Sequence, residues 1–281
     1  MYADTIANFA VAGAEKAHAV RHNFIAFLIG AVMAGAYIGF GDIIMFTVAA
    51  HVDPAWIHLV MGVVFSSALT IVVFAGSELF TGTAMYMPLA VLSGRSGVYD
   101  MFAVWVSSWV GNLLGAILLA SLFHLAGGGV LLGDGSSEFF SVVTAKMAAA
   151  PEQLFARGIL CNWLVCLAIW MAARTDNAAA KVMLIFWPIT IFVAAGYEHS
   201  VANMFTFAMA LLGEHPATVS LTGAAHNLLW VTAGNLVGGS IFVAAGYWMQ
   251  ARNDGHVSFT PVATKSETVS LGEPTHDQAT K

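Results

Sequence analysis

The sequence predicts an all-α membrane protein of six transmembrane helices, arranged as two inverted three-helix repeats with helices two and five broken. Three observations carry this reading. The 281-residue chain is 59% hydrophobic and only 9% charged, where a soluble domain carries roughly 25% charged residues. Its apolar residues gather into runs, most of them close to the roughly 20 residues a helix needs to cross hydrocarbon. Two runs are interrupted by short polar, glycine-bearing stretches that resemble each other. The same composition excludes an ordinary soluble globule and a disordered chain. Ten basic against sixteen acidic residues give no basic patch for nucleic acid, and two cysteines give no disulfide scaffold.

The elements follow in order. In residues 1–22, Ile6, Phe9, Ala10, Gly13, Ala17 and Val20 recur at helical spacing. This predicts an amphipathic N-terminal helix on the membrane surface. The segment lacks the unbroken apolar run of a signal peptide. Residues 23–250 are predicted to form the six-span domain. Apolar runs fall at 24–50, 57–76, 101–127, 153–173, 182–197, 203–213 and 226–249. The second and fifth spans each consist of a first segment, a polar interruption and a short second segment. Asp42 interrupts the first run in its outer half, where it is expected to reach a subunit contact or the outer interface. Residues 251–281 are polar with no apolar period and are predicted to be a disordered cytoplasmic tail.

Charge fixes the expected orientation. With the N-terminus cytoplasmic, eight of ten basic residues lie inside and only Lys146 and Arg157 outside, which is the bias that membrane insertion favours. Both termini are therefore expected in the cytoplasm. The repeat rests on two matches in the same order. Ala-Gly-Ser-Glu at 75–78 pairs with Ala-Gly-Tyr-Glu at 195–198, and Gly-Asn-Leu-Leu-Gly at 111–115 with Gly-Asn-Leu-Val-Gly at 234–238. Three is odd, so the second unit must enter from the opposite side, and such inverted pairs hold a substrate path at their interface.

The breaks at 76–82 and 196–203 cannot face lipid, because unpaired backbone groups there cost several kcal/mol each in hydrocarbon. They must lie in protein or line a wet cavity. Helix ends at such a cavity offer free N–H groups and partial positive charge, suited to a small anion. Glu78, Glu198 and His199 are ionisable groups at membrane depth, where function is the default reading. The glutamates suit bracing of the broken backbone. His199 suits function, because an imidazole donates to an anion and changes charge near neutral pH. Thr81 offers a neutral hydroxyl. Asn112 and Asn235 read as braces for broken backbone or bridges between helices. Cys161 and Cys166 have no ligand partners and read as core side chains. No nucleotide, metalloprotease or hydrolase signature occurs.

Six spans, two breaks, Glu-Leu-Phe-Thr at 78–81 and Tyr-Glu-His-Ser-Val-Ala-Asn-Met at 197–204 resemble the formate/nitrite transporter family. The stretches 161–171 and 226–232 are most similar to its bacterial nitrite channel branch. The resemblance covers roughly residues 1–250. It implies an aquaporin-like fold and a homopentamer in the bacterial inner membrane, with a path through each protomer for nitrite and related small monovalent anions such as formate. It implies no enzyme activity, no cofactor and no metal. On the family pattern Thr81 faces His199 across the path, and Leu79 and Phe80 form the gating loop. Phe65, Leu69 and Phe192 fall at apolar constrictions. Lys146, Glu198, Asn162 and Asn203 match the polar set around the vestibule and central histidine. By itself Lys146 reads as an ordinary loop lysine. The resemblance makes it an anion attractant. Asp42 has no counterpart in the family's usual apolar first span. The resemblance is compatible with a plain channel and with proton coupling through His199. A formate or hydrosulfide channel is the rival on the same scaffold. A membrane-embedded enzyme using Glu78, Glu198 and His199 is the rival from another class. It lacks a metal triad and a nucleophile–base pair.

Overall fold

A computed structural model describes residues 2–253 of the chain. Among these the regular elements are all helices: α1 (Ala3–His22), α2 (Phe24–Ala49), α3 (Ile57–Ala75), α4 (Phe80–Leu92), α5 (Val98–Leu125), α6 (Gly129–Leu132), α7 (Ser136–Ala148), α8 (Pro151–Ala172), α9 (Ala178–Ala194), α10 (Ser200–Leu212) and α11 (Leu221–Val237). From α11 the chain runs through a π-helical stretch (Gly238–Ala245) into α12 (Gly246–Asn253). Of the tail expected over 251–281, the first three residues end α12 and the rest lies outside the described residues.

Five segments are long and apolar enough to cross a bilayer: α2, α3, α5, α8 and the continuous run Leu221–Arg252. Helices α4, α9 and α10 are apolar but shorter. The outward surface agrees with lipid as solvent. Ile25, Val106 and Leu229 stand 72%, 62% and 65% exposed, a cover that would promote association in water.

Inside, small residues let helices meet backbone to backbone. A Cβ at Gly35 of α2 would collide with the backbone of Asn112 on α5, and one at Gly234 of α11 with the carbonyl of Phe155 on α8. The two contacts hold α2 on α5 and α8 on α11, while α3 packs on α9. Helix α1 turns the face of Ile6, Phe9, Ala10, Gly13 and Ala17 inward and lies against α4. Lys16 pairs with Glu78 and Arg21 with Asp100, tying this helix to the bundle.

The chain leaves helix twice in closely similar ways. After α3, Gly76 adopts φ 71°, and after α9, Gly196 adopts φ 70°. Both are left-handed conformations that cost a glycine little. The next N–H groups then bond back five residues, Ser77 to the Val72 carbonyl and Tyr197 to the Phe192 carbonyl, closing each helix in a Schellman-like turn. Leu79 and His199 are extended, and α4 and α10 begin immediately after them.

One expectation is overturned here. Asp42 reaches neither a subunit contact nor the outer interface: it is buried within the chain, 0% exposed. Its place on α2 turns it toward α3 and α7 rather than outward.

Candidate functional site

Each non-helical stretch is braced by one buried asparagine. Asn112 accepts the Phe80 N–H through Oδ1 at 2.8 Å, and its Nδ2 donates to the carbonyls of Ala31 at 2.7 Å and Glu78 at 2.9 Å. Asn235 accepts the Ser200 N–H at 2.9 Å and donates to the carbonyls of Gly158 at 2.8 Å and Glu198 at 3.0 Å. An amide is suited to this because it offers an acceptor and two donors in one rigid plane. The backbone of Glu78 bonds the Gly30 carbonyl, and that of Glu198 the Arg157 carbonyl. Much of the polar backbone of the two breaks is thus paired within the protein, as hydrocarbon demands.

The first turns of α4 and α10 meet where Thr81 Oγ1 and His199 Nε2 lie 3.0 Å apart. Both side chains are buried. His199 also caps α10: its Nδ1 accepts the Ala202 N–H at 3.1 Å. A nitrogen accepting that bond carries no proton, so the network assigns the ring proton to Nε2, which donates toward Thr81. Two helix N-termini, each with partial positive charge, converge beside this donor.

Cavities approach this contact from two sides. One, about 290 Å³, is lined by Lys146, Glu198, Asn203 and His199, with Phe65 and Phe192 among its apolar walls. Lys146 sits in the last turn of α7 and donates to Glu198 at 2.9 Å and Asn203 at 3.0 Å. Asn203 donates in turn to Glu198 at 2.6 Å and Asn227 at 2.8 Å. The rings of Phe65 and Phe192 meet edge to face at 5.9 Å, and Phe192 stacks on the His199 ring at 6.0 Å. The other cavity, about 370 Å³, is lined by Lys16, Glu78, Leu69, Leu79, Tyr86 and Lys181, among others. Thr81, Phe65, Leu69 and Phe192 are all buried between or beside the two.

Most of the sequence-derived set therefore gathers here, but two members sit apart. Asn162 lines neither cavity. Its Nδ2 donates to the Thr81 carbonyl at 3.1 Å and the Asn235 carbonyl at 2.6 Å, so it holds the backbone behind Thr81. Phe80 is packed in the core, and its role at the site runs through its N–H on Asn112. The reading missed the Lys16–Glu78 pair, which repeats Lys146–Glu198 at the second cavity. The matched glutamates at 78 and 198 were the available signal. Asn227 lies outside the site set expected from the sequence; it anchors Asn203 and donates to the Lys146 carbonyl at 2.9 Å. The described residues hold no group of three or more metal-ligating side chains.

Comparison with known proteins gives the same direction. The sequence pattern of the formate/nitrite transporter family matches residues 3–249. The chain is 46% identical over 248 residues to the nitrite transporter NirC of Escherichia coli K12, covering 88% of this chain and 92% of that protein. A solved FNT family ion channel superposes with a TM-score of 0.85 at 46% identity, covering 88% of this chain and 98% of the other. A pentameric formate channel with formate bound superposes with a TM-score of 0.72 at 30% identity, covering 83% and 99%. A match over nearly the whole helical bundle leaves one conclusion: the chain belongs to the formate/nitrite transporter family.

Proposed function

We propose that this protein is a nitrite channel of the bacterial inner membrane, passing nitrite and related small monovalent anions through each protomer of a homopentamer. The observation that carries the reading is the buried Thr81–His199 contact between two cavities, each holding a lysine–glutamate pair. Its relatives are transporters and channels, which speaks against a membrane-embedded enzyme. The helices make six spans in two inverted units, with α3–α4 and α9–α10 as the broken spans. The equivalent roles of Asn112 and Asn235 support that pairing.

The steps follow from the groups present. Lys146 draws the anion into the first cavity. The Phe65–Phe192 pair demands dehydration, which bars hydrated cations. His199 Nε2–H, the Thr81 hydroxyl and the two helix N-termini replace the lost water contacts. Leu69 and Leu79 form the apolar exit and gate on the side of Lys16, with Phe80 packed behind them in the core. Passage ends in the second cavity.

Anion competition on purified protein in liposomes tests the function. Nitrite uptake is expected, with formate competing. Formate or hydrosulfide uptake without nitrite uptake would reassign the chain to the rival channel, and product formation without flux would point to an enzyme.

Orientation is a separate expectation. Both termini are cytoplasmic, so single cysteines placed in 51–54 or 214–218 should react with an impermeant reagent from outside. A cysteine placed beside Arg95 should not. Outside labelling there would reverse the topology.

A further inference from the structure

Among the described residues, Asp42 is the one buried acid that its surroundings leave without a hydrogen bond. It is fully buried, it lines the Lys146 cavity, and neither carboxyl oxygen has a hydrogen-bond partner. The other buried acids among the described residues are engaged. Asp100 is held by Arg21, Ser96 and the Gly97 N–H, and Glu198 by Lys146 and Asn203. A bare charge walled by Met45, Phe46 and Phe65 is costly unless it carries a proton or meets a donor. A carboxyl at a cavity wall with neither oxygen paired is also a free binding group.

The ionisable groups facing this cavity come from every side. Helix α7 brings Lys146 and Glu138, α3 brings His58, and α8 brings Arg157. The stretch before α10 brings Glu198 and His199, with the Tyr197 phenol beside them. Helices α5, α6 and α10 bring none. Glu198 is already committed to Lys146 and Asn203, and His199 to Thr81 and Ala202.

We propose that Asp42 and Lys146 form an anion-binding subsite above the Phe65–Phe192 constriction, open when Asp42 holds a proton and closed when it does not. As the carboxylic acid, Asp42 donates its O–H to an oxygen of the anion while the Lys146 ammonium supplies charge. A protonated carboxyl kept for hydrogen-bond donation in an apolar site is known chemistry. As the carboxylate, it shares a small cavity with an anion of the same sign and repels it. The subsite therefore fills at acid pH and empties as pH rises. This inference rests on the anion-channel reading, and it adds a proton-dependent entry step ahead of His199.

The test is nitrite uptake into liposomes by wild type, D42N and D42V, at external pH from about 5 to about 8. Asparagine keeps the shape and an N–H donor but cannot ionise. The wild-type half-saturation concentration should rise with pH, while that of D42N rises about tenfold less over the series, the size of one like-charge repulsion in a partly wet cavity. D42V, lacking the donor, should bind nitrite more weakly than wild type at the acid end. An infrared difference spectrum on nitrite addition gives a readout independent of flux. Wild type should show a shifted C=O band of a protonated carboxyl that is missing from D42N and D42V. Parallel pH curves for wild type and D42N, or a spectrum with no nitrite-sensitive carboxyl band, would overturn the subsite and leave the channel intact. Absence of nitrite flux in wild type would overturn the channel reading itself.

Discussion

Asn235→Leu should cost the protein its assembly before it touches the conduction chemistry. The side chain makes three hydrogen bonds to backbone groups of two segments: Ser200 N–H, Gly158 carbonyl and Glu198 carbonyl. Leucine keeps the branched shape but is bulkier and makes none of them. Each buried group left unpaired costs about 1–3 kcal/mol, and leucine offers nothing in place of the amide. The first turn of α10 then loses its tether, and with it the position of His199. The expected result is a fall in the thermal midpoint of the detergent-purified pentamer, together with a loss of the oligomer peak on size exclusion. Asn112→Leu should do the same through Phe80, Ala31 and Glu78. Leu236→Ala, next in sequence but only partly buried, is the control and should lose little. A pentamer of Asn235→Leu with wild-type stability would mean that the break is held by other contacts.

That asparagine shows how far the sequence could be read. Asn112 and Asn235 were legible as braces because a matched Gly-Asn-Leu core marks both, and because an amide in an apolar run has few other uses. Glycines at 76 and 196 marked the ends of α3 and α9 for a similar physical reason: only glycine takes a positive φ there cheaply. What was not legible depends on distance between elements. Asn162 looked like a vestibule residue on its position in the family pattern, yet its amide is spent on the Thr81 and Asn235 carbonyls. No sequence spacing encodes that, because α8, α4 and α11 meet only in the folded bundle. Lys16 looked like one basic residue of a surface helix. Its pairing with Glu78 needs α1 laid against α4, which the close approach of Gly13 to the Tyr86 carbonyl permits. Asp42 looked peripheral for the same reason. A charged residue near a span end normally points to the interface, and only the packing of α2 against α3 turns it into a cavity.

His199→Phe should abolish most of the transport while sparing the assembly. Phenylalanine fills a similar volume and can keep the stack on Phe192. It removes two things: the Nδ1 acceptor that caps α10 at Ala202, and the Nε2–H that faces Thr81. The lost cap is worth about 0.5–2 kcal/mol, a modest stability change in a bundle held by many other contacts. The lost donor matters more, because an anion crossing the dry segment has given up its water there. A hydrogen bond to a charged group is worth about 1.5–3 kcal/mol, so flux should fall roughly 10- to 150-fold. Thr81→Val removes one neutral bond of about 0.5–1.5 kcal/mol and should reduce flux only about 2- to 12-fold. The pH profile separates a conducting imidazole from a merely structural one. If His199 exchanges its proton with the passing anion, wild-type nitrite uptake should be high at acid pH and fall as pH rises, and His199→Phe should flatten that fall. Any slope that remains should shrink when Asp42→Asn is added to it, since Asp42 is the buried acid at that cavity with neither oxygen paired. A purely structural histidine would instead give a poorly assembled variant whose surviving pentamers keep the wild-type profile. Size exclusion and a pH series of nitrite flux on the same preparations decide the matter. Unchanged flux at every pH in a well-assembled His199→Phe pentamer would remove the imidazole from the mechanism.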